Sequence, residues 1–158
     1  MERIINRRIM HFLEKNNKLS NNQFAFRKQK STMDNVIILK SYISEAFLEG
    51  KNVCAIFYDI NKAYDKTNRK LIIDTASAAG INGHALNFII NFLQDRKFIV
   101  CSNNQLSKEH ILQNGIPQGS VLSVTLFLIT INTITAHLTP HIEFLIYADD
   151  LVIFRKMV

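Results

Sequence analysis

Asp149 and Asp150 stand side by side in the stretch Phe144-Leu-Ile-Tyr-Ala-Asp-Asp-Leu-Val-Ile-Phe154. The runs flanking them are short, apolar and rich in β-branched and aromatic residues, which predicts two buried strands joined by a tight Ala-Asp-Asp turn. Two adjacent carboxylates need a counter-charge there, because burying an unpaired one costs on the order of several kcal/mol. A divalent cation is the most compact counter-charge. Taken alone, the pair is equally well explained as a plain surface turn, where Asp is common. A third carboxylate, Asp59, ends the apolar run Lys51–Tyr58, predicted to be a buried strand. Strand ends are where α/β sites place chemistry, although Asp also serves simply to stop a strand. If the two strand regions are neighbours, Asp59, Asp149 and Asp150 converge. Two divalent ions about 3.5–4 Å apart, bridged by shared carboxylates, would then suit in-line phosphoryl transfer, one lowering the pKa of an attacking hydroxyl and one offsetting charge on the leaving phosphate.

Two further stretches fit that chemistry. Gly115-Ile-Pro-Gln-Gly-Ser120 is the strongest loop signal: two glycines allow close backbone approach, Pro117 stiffens the loop, and Gln118 offers both a donor and an acceptor. Gln23-Phe-Ala-Phe-Arg-Lys-Gln-Lys30 sets cations beside aromatic anchors, as suits an ordered loop that meets phosphates. The net charge of +6 is unevenly placed: residues 1–40 hold nine Lys/Arg against three Asp/Glu, and residues 41–158 hold ten of each. That excess points to a polyanionic partner such as nucleic acid or nucleotide phosphates, with a solvated basic helix face as the plainer alternative.

The elements that must position these residues follow from periodicity. A chain of 158 residues with 47% apolar and 20% charged residues reads as one globular domain. An amphipathic basic helix is predicted over 2–15, and a second runs from a Ser31 or Thr32 cap to about Leu48, stopped by Gly50. After the strand come a polar turn over 61–65 and helices over about 68–79 and 83–94. A hairpin of strands 98–102 and 110–112 around Asn103-Asn104 is expected next, then a long apolar helix over 120–138 and the final hairpin. The order implies an α+β domain with a mostly antiparallel sheet, and a β-α-β-β-α-β ferredoxin-like core fits from residue 51 onward. Cys54 and Cys101 read as buried small hydrophobes in a reducing compartment, and no Cys/His spacing suggests zinc. His84 and His137 read as ordinary helix residues, and His141 as the start of a strand. No signal peptide is visible, and polar residues interrupt the one candidate membrane span, 121–138, so an intracellular protein, nuclear or cytoplasmic, without a membrane is expected.

The motifs resemble a known family. Phe57-Tyr-Asp-Ile-Asn-Lys-Ala-Tyr-Asp65, Gly115-Ile-Pro-Gln-Gly-Ser-Val-Leu-Ser123 and Tyr147-Ala-Asp-Asp150 resemble motifs A, B and C of reverse transcriptases, in that order. Gln23-Phe-Ala-Phe-Arg-Lys-Gln-Lys-Ser-Thr-Met-Asp34 resembles the fingers motif of the non-LTR (LINE-type) retrotransposon enzymes, and Phe92-Leu-Gln-Asp-Arg96 falls where they carry a similar helix end. The resemblance implies a right-hand polymerase, with partial fingers in 1–50 and the palm in 51–158. Such an enzyme would extend a DNA primer on an RNA template from dNTPs, using Mg²⁺ or Mn²⁺. It implies Asp59 and Asp149 as metal ligands, with Asp150 beside them and the Ile60 carbonyl completing a shell. Tyr64 takes the place of the aromatic gate that excludes a 2′-hydroxyl. Gln118 and Gly119 line the nucleotide and template pocket, and Arg27, Lys28 and Lys30 meet the incoming triphosphate. Ala25 and Gln29-Lys30 stand where the family usually has Gly and Gly-Arg, Tyr58 stands where Leu is frequent, and Val124 stands where Pro is usual. The chain reaches only eight residues past Asp150, so the thumb is expected to be missing and the sequence reads as a fragment. A catalytically inactive nucleic-acid-binding remnant is the alternative.

Overall fold

A computed structural model describes residues 1–157. The chain forms two compact units, each discontinuous in sequence. One comprises Met1–Asn16 with Lys62–Thr130, the other Asn17–Asn61 with the residues from Ile131 onward.

The second unit is built on a three-stranded antiparallel sheet. Its strands are β1 (Asn52–Asp59), β6 (Glu143–Tyr147) and β7 (Asp150–Met157), in the order β1-β7-β6. β7 is central, which is why Leu151, Val152 and Phe154 are buried. β1 is an edge strand, and this overturns the expectation that it is buried: Phe57 is 71% exposed and Tyr58 46%. With β7 as its one hydrogen-bonded neighbour among the described residues, an apolar run is not enough to bury it. The same position leaves Cys54 exposed, and Cys101, in a two-residue strand, is exposed as well, so neither is the buried hydrophobe expected. Helix α2 (Thr32–Leu48) lies against the sheet. Its cap is Ser31, one of the two residues expected there, whose amide donates to Asp34 Oδ2 at 2.6 Å, and the helix gives way at Gly50, whose φ is +68°. Phe24, Leu145, Val152 and Phe154 form the core beneath it, with Leu39 and Tyr42 packed on top. At the far edge, the Phe24 amide donates to the Ile146 carbonyl (3.0 Å) and the Ile146 amide to the Asn22 carbonyl (2.8 Å), so the 20–30 loop covers β6.

The first unit is helical. Helices α1 (Glu2–Lys15), α4 (Arg69–Ala78) and α5 (Gly83–Leu93) follow the apolar periodicity, burying Ile9 and Leu13, Ile72 and Ala76, and Ile89 and Leu93. A short helix, α3 (Ala63–Lys66), forms where a polar turn was expected. Helix α6 (Val121–Ile131) is shorter than the predicted 120–138, because residues 132–137 form successive turns, and His137 therefore lies beyond the helix. No helix among the described residues is long and apolar enough to cross a membrane. Between α5 and α6, β2 (Lys97–Phe98) pairs with β5 (His110–Ile111), and β3 (Cys101–Ser102) with β4 (Gln105–Leu106) around Asn103-Asn104. These ribbons stay separate from the main sheet, so the four-stranded sheet of a ferredoxin-like core is not formed among the described residues. Two-residue strands lack the length to extend a ladder.

Candidate active site

The carboxylates lie together at one end of the main sheet. Asp59 is the last residue of β1 and Asp150 the first of β7, and the antiparallel register makes them direct partners. Directly opposed residues project from the same face, with Cβ atoms about 4.5–5.5 Å apart. Tyr147 of β6 is the partner of Asp150 on the other side. The hairpin closes through just two residues, Ala148 and Asp149, so Asp150 belongs to the strand rather than the turn. Ala148 has φ +56° while Asp149 does not share that sign, the pattern of a type II′ turn. Glycine suits that first position, and a left-handed alanine costs about 1–2 kcal/mol. Strain of this kind persists where the surroundings over-determine the backbone, and it clusters at functional sites.

Asp59, Asp150 and Tyr147 line a cleft of about 350 Å³ together with Phe57 of β1 and Asn35 and Val36 of α2. The Asn35 Nδ2 faces the Ile146 carbonyl at 3.4 Å, and its Oδ1 is buried without a donor. Asp59 and Asp150 are exposed and Asp149 half-buried, and none of them pairs with a protein cation among the described residues. The donor set suits a divalent cation: hard oxygen ligands, several negative charges in one place, and no internal neutralisation. No three His, Cys, Asp or Glu side chains among the described residues close around a single point. The protein would therefore give one or two carboxylates to each ion and leave the rest of the shell to water and phosphate oxygens, the manner in which Mg²⁺ is held.

The basic loop of the same unit is organised by its own cations. Arg27 Nη1 donates to the carbonyls of Ser20 (2.5 Å) and Gln23 (3.1 Å), and Lys30 Nζ donates to the Asn21 carbonyl while lying 4.6 Å above the Phe24 ring. Arg27 and Lys30 thus shape the loop, and Lys28 is exposed. Gln29 has φ +60°, a conformation that the glycine usual at this position in the resembled family takes without strain.

Ile60 follows β1 in the second unit, and Tyr64, Gln118 and Gly119 belong to the first. The Tyr64 ring stacks on Phe127 of α6, with centroids 4.7 Å apart and planes at 18°. Gln118 Nε2 donates to Asp65 Oδ1 at 2.9 Å. The loop is fastened to α3 by two backbone bonds, Gly115 amide to Thr67 carbonyl (3.0 Å) and Ile116 amide to Tyr64 carbonyl (2.8 Å). Gly119 has φ +86° and open space around it. The start of α6 is capped from a distance: Glu2 Oε1 accepts from the Leu122 amide at 2.7 Å and from the Ser120 hydroxyl. These bonds hold the Glu2 carboxyl below the usual carboxylate range. Asp65, Phe127 and Glu2 were not picked out from the sequence. Asp65 sits within motif A and was within reach of inspection, whereas Phe127 and Glu2 act across long separations that carry no local signal.

Residues 1–157 match the family described as reverse transcriptase (RNA-dependent DNA polymerase). The RNA-directed DNA polymerase from mobile element jockey of Drosophila funebris is 27% identical over 162 residues, covering 99% of this chain and 18% of that protein. The retrovirus-related Pol polyprotein from type-1 retrotransposable element R2 of Popillia japonica is 29% identical over 135 residues, covering 78% of this chain and 22% of its own length. The chain thus spans less than a quarter of the length of the curated relatives it matches. Among solved structures, telomerase from Candida albicans, in complex with a fragment of telomeric RNA, aligns over 96% of this chain and 29% of its own, with TM-score 0.74 and 11% identity. Apo telomerase from Candida tropicalis aligns over 97% of this chain and 30% of its own, with TM-score 0.67 and 12% identity. At these identities the likeness is one of fold, a mixed α/β arrangement with an antiparallel sheet like a polymerase palm. The kinship with non-LTR retrotransposon enzymes expected from the motifs is borne out, and this chain belongs to the reverse transcriptase (RNA-dependent DNA polymerase) family.

Proposed function

We propose that this chain is the part of an RNA-directed DNA polymerase that joins a dNTP to a DNA primer on an RNA template, with partial fingers in residues 1–50 and palm in 51–158. The observation that carries the reading is the placement of Asp59 against Asp150, next to a strained turn bearing Asp149, with no protein cation to neutralise them among the described residues. Asp59, Asp149 and Asp150, with the Ile60 carbonyl, would hold Mg²⁺ or Mn²⁺. When bound, the metal pair supplies Lewis-acid stabilisation and acidifies the attacking hydroxyl. The exposed Lys28 offers a charge to the triphosphate, while Arg27 and Lys30 hold the loop that presents it. Tyr64, kept flat by Phe127, selects against a 2′-hydroxyl, and Gln118 and Gly119 line the nucleotide and template pocket. Nucleic acid is a fitting partner for α1, where Arg3, Arg7, Arg8 and Lys15 are all exposed.

The test is Mg²⁺-dependent extension of a DNA primer on an RNA template by the chain and by its Asp59→Asn and Asp149→Asn variants. Extension by the chain with loss of at least 10²-fold in each variant is expected, from removal of a group that acts on developing charge. Equal, background-level incorporation by all three would overturn the polymerase reading in favour of a non-catalytic nucleic-acid-binding remnant.

A further inference from the structure

Within the first unit, α3 and the Gly115–Ser120 loop are locked together through their backbones. Besides the bonds from the Gly115 and Ile116 amides to Thr67 and Tyr64, Arg69 Nε donates to the Gly115 carbonyl at 3.2 Å and the Ser123 hydroxyl to the Pro117 carbonyl at 2.6 Å. The backbone leading to Gln118 is thereby fixed, while Gln118 itself is exposed. Its side chain is held by one bond, Nε2 to Asp65 Oδ1 at 2.9 Å, and its Oε1 has no partner among the described residues. Asp65 is also exposed and makes no ion pair among the described residues, so the polar group its carboxylate serves is the Gln118 amide.

That bond sets a polarity. A primary amide has a donating end and an accepting end of nearly the same shape, and which end faces a ligand follows from the bonds it makes. An ionised carboxylate only accepts, so the end turned to Asp65 must be the NH₂. The flipped amide would set Oε1 against the carboxylate with no hydrogen between them. A hydrogen bond to a charged partner is stronger than a neutral one, which favours the first orientation. The NH₂ then lies beside a negative charge, where a phosphate oxygen is repelled. Oε1 is the end left open.

We infer that Asp65 is a positioning residue: it holds Gln118 so that the atom offered to a ligand is an acceptor, and the group recognised there is an O–H or N–H donor of a nucleotide rather than a phosphate oxygen. The inference rests on the reading of Gln118 as part of the nucleotide and template pocket, and adds the polarity of that contact and the residue that sets it.

The experiment has two arms, both on the full chain. In the first, without metal or nucleotide, NMR follows the Gln118 side-chain amide. The Nε2 proton bonded to Asp65 is expected to lie downfield of a free glutamine's and to exchange more slowly, and Asp65→Ala is expected to abolish both effects. Free-glutamine values in the parent overturn the inference. The second arm is equilibrium binding of dATP with Mg²⁺. Asp65→Ala is expected to weaken it about two- to tenfold, the worth of one hydrogen bond. An unchanged melting midpoint, expected because Asp65 is exposed, separates this loss from unfolding. Gln118→Glu sets two carboxylates against each other and is expected to weaken dATP binding as well. Adding Asp65→Asn to Gln118→Glu is expected to restore it, because the introduced asparagine donates, the introduced glutamate still offers an oxygen, and the net charge equals the parent's. No recovery in the double variant overturns the inference, since a ligand that needs a donor from position 118 gains nothing from the exchange. A parent that shows the amide signature but binds no dATP overturns instead the nucleotide-pocket reading, and with it the ligand assigned here. Dideoxy-ATP identifies the donor: an Asp65→Ala effect that vanishes with it assigns the sugar hydroxyl, and one that persists assigns a base N–H.

Discussion

Gly115→Ala is the substitution for which the structure yields a magnitude. A Cβ at Gly115 would lie 2.6 Å from the Asp65 carbonyl oxygen, 2.8 Å from that of Tyr64 and 2.9 Å from the Asp65 carbonyl carbon. All three are backbone atoms of α3, and α3 cannot drift away freely, because the loop is bonded to it through Thr67 and Tyr64. The φ of +83° adds a conformational penalty of about 1–2 kcal/mol for a non-glycine residue. Forced overpacking adds about 1–3 kcal/mol. The total, about 2–5 kcal/mol, is a large share of the roughly 5–15 kcal/mol that stabilises a domain. Gly119→Ala is the internal control: its φ of +86° is similar, but nothing lies within 4 Å of its Cβ. Urea denaturation of both variants separates the effects, with Gly115→Ala expected to be about 1–3 kcal/mol less stable than Gly119→Ala. Equal destabilisation of the two would refute the claim that the loop is packed against the backbone of α3. If the chain extends a primer as proposed, Gly115→Ala is also expected to raise the KM for dNTP, because it displaces Asp65, the acceptor for Gln118.

Other outcomes follow from the charged contacts. Glu49 accepts from Lys156 Nζ at 2.7 Å and from Lys51 Nζ at 2.8 Å, and these bonds, Lys156 first, pull its carboxyl down to about 2. A carboxyl with a depressed folded value contributes stability that is complete above its ordinary value of 4.5 and is lost as pH falls through about 2. An NMR titration of Glu49 is expected to show that midpoint and to move upward in Lys156→Met; a midpoint near 4.5 in the parent would contradict the pairing. Glu2→Ala removes the distant cap of α6 and is expected to cost about 0.5–2 kcal/mol, the range for loss of a helix N-cap. A chemical melt with no change in midpoint would show that the Leu122 and Ser120 bonds contribute nothing.

What could be read without coordinates was local. The 2–15 helix, a cap at Ser31 or Thr32, and the stop at Gly50 depend on neighbours a few residues apart. So do the turn at Asn103-Asn104, though its arms pair 101–102 with 105–106 and not with 110–112, and the tight turn at Ala148-Asp149, though Asp150, expected within it, starts β7; propensity, capping and periodicity operate at that range. The motifs also carried the family, because they preserve residue type and order. Burial was misjudged where it depended on company. Lys51–Tyr58 has the composition of a core strand, yet Phe57 and Tyr58 are exposed, in an edge strand that has a single hydrogen-bonded neighbour among the described residues. Cys54 was misplaced for the same reason. The apolar stretch beyond Ile131 was read as helix because hydropathy alone does not mark where turns take over.

The sequence by itself determined that three carboxylates, a glycine loop and a basic loop occur in the order of a reverse transcriptase, and that each sits at the end of an element or in a turn. Only the tertiary structure decided that Asp59 is the register partner of Asp150, ninety-one positions away, that Gln118 is fastened to Asp65, and that Glu2 caps a helix beginning at Val121. A local pattern fixes the conformation of a segment. Which distant segments meet is set by strand register and packing summed over the whole chain, and no window of neighbouring residues contains that information.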